Sequence, residues 1–85
     1  MPDITEGVKL NMFLEGILKF ETRLPLNLVE IYPGLEEDIR INGIKEPIEI
    51  RIREDGSMIV WDGLHRLAIA KKLGIESVPV IMVPM

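Results

Sequence analysis

The chain has no cysteine and no glutamine, and its aromatic residues number four: one Trp, one Tyr and two Phe. Without cysteine there are no disulfides, no thiolate metal sites and no cysteine nucleophile. With a single histidine there is no histidine-rich metal site. No apolar run reaches membrane-spanning length, so no membrane partner is expected. The first residues lack the basic-then-apolar layout of a secretory signal, which leads to the expectation of a soluble cytoplasmic protein. Basic residues are outnumbered, 10 Lys and Arg against 14 Asp and Glu, for a net charge of −4. A protein devoted to gripping DNA is usually basic, so direct DNA binding is not expected of this chain alone. Neither a G-x-x-x-x-G-K-[ST] loop nor a G-x-G-x-x-G turn occurs. Ser57 and Ser77 have no histidine in a motif context, so serine-hydrolase chemistry has no support.

What is present is aliphatic. The 85 residues include thirteen isoleucines, and 47% of the chain is hydrophobic. That length supports one domain, and the apolar content supplies a core without staples. Abundant Ile, Glu, Lys and Arg together with absent Gln resemble the composition of proteins from hot environments. Prolines and glycines divide the chain into short segments, and no repeat is visible.

Asp3-Ile4-Thr5-Glu6 has the form of a capping box. Leu10, Phe13, Leu14, Ile17 and Leu18 then follow at helical spacing, although Val8, Leu10, Met12 and Leu14 also alternate as in a strand. A helix is the favoured expectation, and residues 1–17 are read as an N-terminal extension to a core of about 18–84. Leu18 to Leu24 alternates, which predicts a half-buried strand ended by Pro25. Asn27 to Tyr32 reads as a short helical turn broken by Pro33-Gly34. Leu35 to Asn42 is expected to be a helix, with Glu36, Glu37 and Asp38 at its start, as the macrodipole prefers, and Gly43 at its end.

Pro47 to Arg53 alternates strictly, and Asp55-Gly56 is a strong hairpin signal before a returning strand from Ser57 to Asp62. A two-residue turn would set Ile50, Ile52, Ile59 and Trp61 on one face as core. Glu49, Arg51, Arg53 and Asp62 would fall on the other, with Glu49 opposite Asp62. Leu64 to Leu73 is a helix, apolar on most sides, closed by Gly74. Val78 to Val83 is a last, continuously apolar strand. A strand-helix-strand unit of this spacing should lay it near the hairpin. The expected class is α/β (α+β), a small mixed sheet with helices.

The segment Val60-Trp61-Asp62-Gly63-Leu64-His65-Arg66 carries a conflict. His65 and Arg66 fall in the first turn of a helix, where the backbone is partially positive and a cation is disfavoured by roughly 0.3–1 kcal/mol. An anion resolves it. A helix N-terminus after a glycine turn offers free N–H groups, and Arg66 adds a forked donor suited to phosphate oxygens. The plainer alternative is that Asp62 caps the helix and pairs with Arg66 across one turn. Asp62 opposite Glu49 makes an uncomfortable carboxylate pair unless a cation intervenes. Arg51, Arg53 or a magnesium ion carried on a nucleotide could serve. The acidic run 36–38 and Glu30 are candidate bases but read better as solvated positions. Trp61 could stack on a ligand base, while its place in the alternation favours the core.

The stretch G-I-K-E-P-I-E-I from Gly43, followed by D-G-S-M-I-V-W-D-G-L-H-R-L-A-I-A-K-K-L-G-I-E-S-V-P-V from Asp55, resembles the ParB/sulfiredoxin superfamily. Its members share a helix, the phrase G-x-x-x-P-I, a hairpin, a G-x-x-R turn, a helix and a V-P-V strand. The similarity runs in order over roughly residues 24–83. Sulfiredoxins place a reactive cysteine before their His-Arg pair. Here that position is Leu64, so sulfinic-acid reduction is not expected. ParB proteins and their CTP-binding relatives read G-E-R-R at the turn. Archaeal free serine kinases read D-G-H-H-R, one residue from Asp62-Gly63-Leu64-His65-Arg66. The resemblance implies that Gly63, His65 and Arg66 contact nucleotide phosphates and that Asp62 sits beside the transferred group or its metal. The implied cofactor is a nucleoside di- or triphosphate with Mg²⁺. The implied activity is that of an ATP- or ADP-dependent small-molecule kinase or a nucleotide hydrolase. The alternative is a non-catalytic ParB-like adaptor or regulatory module acting with a DNA-binding partner. Apolar surface on the N-terminal segment is a candidate seed for a homodimer.

Overall fold

The structure is a computed structural model describing residues 8–85. The Asp3–Glu6 capping box lies outside the described residues. In chain order the elements are β1 (Val8–Phe13), α1 (Leu14–Ile17), β2 (Glu21–Thr22), a 3₁₀ turn (Leu26–Leu28), α2 (Pro33–Asn42), β3 (Ile48–Ile52), β4 (Met58–Asp62), α3 (Leu64–Leu73) and β5 (Ser77–Pro84). The strands form one mixed sheet in the order β1-β5-β3-β4-β2. β5 runs parallel to β3 and antiparallel to β1, so the chain after α3 does return beside the hairpin. This is the expected α/β (α+β) class. No helix among the described residues is long and apolar enough to cross a membrane.

The core forms where one sheet face meets two helices. Ile48, Ile50, Val60, Val78 and Val80 supply the sheet side, against Leu14 and Ile17 of α1 and Leu64, Leu67 and Ala70 of α3. Each fully buried aliphatic side chain contributes about 1.5–3 kcal/mol. α3 occupies the residues expected of it, because Gly63 before it and Gly74 after it both adopt positive φ, 90° and 72°. α2 starts two residues before its apolar pattern, because Pro33 in the first turn gives up an N–H that has no helical partner there. Gly43 ends α2 at φ 77°.

Three expectations need correction. The first concerns residues 8–13, which are strand, not helix. Their Cα partners run from Met82 to Ser77 on β5, and that ladder outweighs the local helical spacing. Helical spacing survives in the single turn of α1, where Leu14 and Ile17 are buried three residues apart. The second concerns Leu18 to Leu24, where the ladder holds only Glu21 and Thr22, opposite Ile59 and Val60. Leu18 and Phe20 still close the preceding turn, donating to the Leu14 and Ile17 carbonyls at 3.0 Å. The Thr22 hydroxyl donates to the Leu24 carbonyl as the chain leaves the sheet.

The third correction sets the site. The hairpin loop holds three residues, Glu54-Asp55-Gly56, not two. Arg53 N–H donates to the Ser57 carbonyl at 2.8 Å, and Gly56, at φ 89°, donates to Arg53 at 2.9 Å. Ile52 therefore faces Met58, Arg51 faces Ile59 and Ile50 faces Val60. A slip of one residue exchanges the faces of a strand. Met58 and Val60 take the core side, and Ile59 and Trp61 turn to the face of Arg51. A bulge between Glu49 and Ile50 then restores the count, so Glu49 faces Asp62 as expected, with Trp61 as the extra residue on β4.

Two expectations for stability follow. Gly63 and Gly74 both need a left-handed backbone, but a Cβ at Gly74 meets nothing within 4 Å, whereas one at Gly63 lies 3.2 Å from the Ile48 backbone and side chain. Gly74→Ala should cost about 1 kcal/mol, and Gly63→Ala about 2–4 kcal/mol, because overpacking adds to strain. Urea unfolding of both variants checks the order. In the hairpin, the Ser57 hydroxyl and then its N–H donate to Asp55, holding its carboxyl below its ordinary 3.8. A depressed carboxylate stabilises the fold above its unfolded value and loses that contribution as pH falls through the folded one. Asp55→Ala should flatten the acid limb of the stability curve below about pH 4, which unfolding at stepped pH measures.

Candidate functional site

β4 ends at Asp62, Gly63 reverses the chain, and α3 begins at Leu64. The turn is pressed onto β3: an added Cβ at Gly63 would stand 3.2 Å from Ile48 Cα, from Ile48 Cγ1 and from Arg66 Nη2. Asp62 is not the helix cap expected from sequence. Its Oδ1 accepts the Gly63 N–H at 2.8 Å, and Gly63 itself holds the cap position with no capping side chain. The first helical bond runs from Leu67 N–H to the Gly63 carbonyl at 2.9 Å. The N–H groups of Leu64, His65 and Arg66 therefore have no protein acceptor among the described residues. Together they present the positive end of a ten-residue helix.

Arg66 does not pair with Asp62 either. It reaches the other way, its Nη1 3.4 Å from Glu46 Oε2 and its Nη2 3.5 Å from the Pro47 carbonyl. Both contacts are at the long limit of a hydrogen bond. Glu46 is 81% exposed, so this ion pair contributes little, about 0–1 kcal/mol. Arg66 Nε is buried without a partner. The guanidinium thus lies beside the glycine turn, weakly held and with a donor to spare.

His65 is exposed at the surface and anchored from behind. Its Nδ1 lies 2.8 Å from the Glu30 carbonyl, which only accepts, so the Nδ1 proton is fixed there and Nε2 is the free edge of the ring. The Tyr32 ring leans on it, with centroids 5.2 Å apart at 38°. His65, Asp62 and Leu64 share the wall of a cleft of about 450 Å³ with Trp61, Arg23, Glu30 and Tyr32. Asp62 and His65 are thus brought together on the cleft, with Gly63 between them in the chain. Arg66 flanks the same turn on the side of Pro47 and does not line the cleft.

Two residues gain significance from the structure. Trp61, favoured for the core by its alternation, is half-buried on the opposite face, with the Arg51 guanidinium carbon 4.6 Å from the centre of its ring. The Arg23 guanidinium carbon is 4.5 Å from the centre of the same ring. Arg51 is also bound to Glu49 at 2.7 Å, and so supplies the cation that the Glu49–Asp62 juxtaposition called for. Arg23 makes no ion pair among the described residues. In sequence it was one more outward residue of an alternating strand, and its only signal was a position just before Pro25.

The acids of the 36–38 run are all occupied, while Glu30 lines the cleft. Glu36 takes Lys72 at 2.7 Å, Glu37 pairs with Arg40, and Asp38 accepts from Asn42 at 2.9 Å. No cluster of three or more metal-ligating side chains occurs among the described residues. With Glu49 bound to Arg51, Asp62 offers one carboxylate with one oxygen already accepting a backbone N–H. That suits a Mg²⁺ arriving on phosphates, which needs only one or two carboxylates, better than a resident metal.

No protein-family model matches the chain, and no curated protein matches it. Solved structures do. Sulfiredoxin from Arabidopsis thaliana superposes with a TM-score of 0.71 at 22% identity, over 92% of this chain and 86% of that one. The C-terminally truncated chromosome-partitioning protein ParB from Caulobacter crescentus, complexed with CTP-γ-S, gives 0.69 at 21% identity, over 93% and 46%. A Pnob8-like ParB-N domain gives 0.63 at 21%, over 92% and 30%. The chain therefore has a ParB/sulfiredoxin-like fold. It spans less than half the length of either ParB structure.

An arginine with a buried, partnerless Nε and two long contacts costs the fold more than it returns. Arg66→Met keeps the stem and removes the orphan. Its unfolding free energy should equal that of the parent within about 1 kcal/mol, or exceed it. A loss of several kcal/mol would make Arg66 a structural residue.

Proposed function

We propose that this domain binds a nucleoside di- or triphosphate, with its phosphates at the N-terminus of α3. The observation that carries the reading is the set of three acceptor-free N–H groups on Leu64, His65 and Arg66, next to an arginine without a strong partner. Gly63 lets α3 start directly against β3, which sets these N–H groups at the end of β4. Arg66 turns from its exposed glutamate to the phosphate. His65 completes the ring of donors through Nε2. The likeness to a ParB structure complexed with CTP-γ-S supports a nucleotide over a bare anion.

Asp62, at the mouth of the helix and on the cleft wall, is the candidate for the metal side of a Mg²⁺-nucleotide or for accepting a proton from an incoming hydroxyl. Mg²⁺ on the nucleotide would neutralise phosphate charge. Phosphoryl transfer to a small hydroxyl compound or to water is the chemistry such an arrangement suits, since positioning and charge stabilisation carry most of it. Turnover of ATP, ADP and CTP, with and without hydroxyl acceptors, tests the catalytic part separately from binding.

Binding is tested by titrating ATP, ADP, CTP and inorganic tripolyphosphate while following amide chemical shifts. The Leu64, His65 and Arg66 amides should move together and saturate. Arg66→Met should weaken binding at least tenfold, about 1.4 kcal/mol, with the fold intact. Because the Nδ1 proton is committed to Glu30, His65 can donate to phosphate only after Nε2 is protonated. His65→Phe removes the Nε2 edge and should weaken binding of nucleotide and tripolyphosphate alike, read by the same titration. If millimolar nucleotide and tripolyphosphate leave these amides unmoved, the proposal fails.

A further inference from the structure

We infer that the cleft beside α3 is a nucleobase subsite whose stacking platform is Trp61. This rests on the phosphate reading for the orientation of the nucleotide, but on separate observations for the base. The bulge that places Trp61 as the extra residue of β4 brings its ring out of the core and onto the cleft wall. The bulge is two residues from the Gly63 turn. A base stacked on Trp61 is thus connected by a short span to phosphates at the Leu64, His65 and Arg66 amides. The cleft, at about 450 Å³, is in the range of small-molecule sites. Leu28 on its rim is 71% exposed and Tyr32 49%, an apolar border suited to a flat ring.

The two guanidiniums on Trp61 differ in a way that supports this. Arg51 is tethered by Glu49 at 2.7 Å and does not line the cleft. Arg23 does line it, and has no carboxylate partner among the described residues. Arg23 is therefore the removable cover on the ligand side of the ring, and Arg51 the fixed support. An exposed cation–π contact is weaker than the stack of a base on an aromatic side chain, so a base can take the place of Arg23. Freed from the ring, Arg23 remains within reach of the ligand as a cation. Stacking tolerates any base, since every base presents a π-face.

The chain has one tryptophan, so its fluorescence reports this residue alone. The whole chain is titrated with ATP, CTP, adenosine and inorganic tripolyphosphate, reading Trp61 emission and amide shifts in parallel. Adenosine and both nucleotides should quench or shift the emission, and tripolyphosphate should move the α3 amides without doing so. Trp61→Leu should weaken nucleotide binding roughly ten- to hundredfold and leave tripolyphosphate affinity unchanged. Trp61→Phe keeps a π-face and should retain most of the affinity, which separates stacking from any loss of folding in the leucine variant. If nucleotides and tripolyphosphate bind equally well, with Trp61 emission constant and Trp61→Leu silent, the base lies elsewhere and the inference falls while the phosphate site stands. If adenosine quenches while tripolyphosphate does not bind, the base subsite stands and the phosphate reading falls.

Discussion

The close approach of Gly63 to Ile48 governs the geometry of this end of the molecule. Ile48 is fully buried and belongs to the central β3, so it cannot give way. Gly63, without a Cβ, lets the chain leave β4 and enter α3 within one residue. Three things then follow together. The first turn of α3 opens at the end of β4 with three amides that have no acceptor among the described residues. Arg66, one turn on, folds back against the glycine. Asp62 and His65 are left on either side of the turn, facing the cleft. A larger residue at 63 would push α3 off the sheet and disperse all of them.

The energetic character of the site differs from that of the core below it. Leu67, Ile69 and Ala70 of α3 are fully buried and hold the helix in place. The first turn is held by much less: long contacts for Arg66, one carbonyl for His65, a neighbouring N–H for Asp62. A rigid helix body with an under-partnered tip is what a binding site requires, because a ligand can satisfy donors there without breaking strong internal bonds. The cation in the first turn of α3, disfavoured in an isolated helix, folds back beside Gly63 and is held only by the long contacts to Glu46 and Pro47.

Much of this was legible in the sequence where one residue type leaves few choices. Gly43, Gly63 and Gly74 delimit the helices, and the α3 span is as read. The Gly63-Leu64-His65-Arg66 turn and its place between strand and helix are as read too. The failures occurred where a pattern had two periods or a count was off by one. Val8 to Leu14 satisfies both helix and strand, and only β5, far along the chain, decides between them. Asp55-Gly56 is a hairpin signal in two-residue and three-residue loops alike, and the difference is invisible without the partner strand. That single residue decided whether Val60 or Trp61 went inside. The pairing of Glu49 with Asp62 came out as expected because the longer loop and the bulge cancel. Arg23 carried almost no signal, since its role depends on a ring whose direction was itself misread.

That cancellation ties the 54–56 loop to the lining of the cleft beside α3. The extra residue in the 54–56 turn and the extra residue at Trp61 are two halves of one frameshift, opened at the hairpin tip and closed at the cleft. Between them β4 presents one set of side chains inward; with both removed it would present the other. Lineages or designs that change the tip by one residue would thus exchange the indole in the cleft for an aliphatic side chain without any substitution there. A change of length at the hairpin tip would alter the chemistry of the cleft wall from a distance.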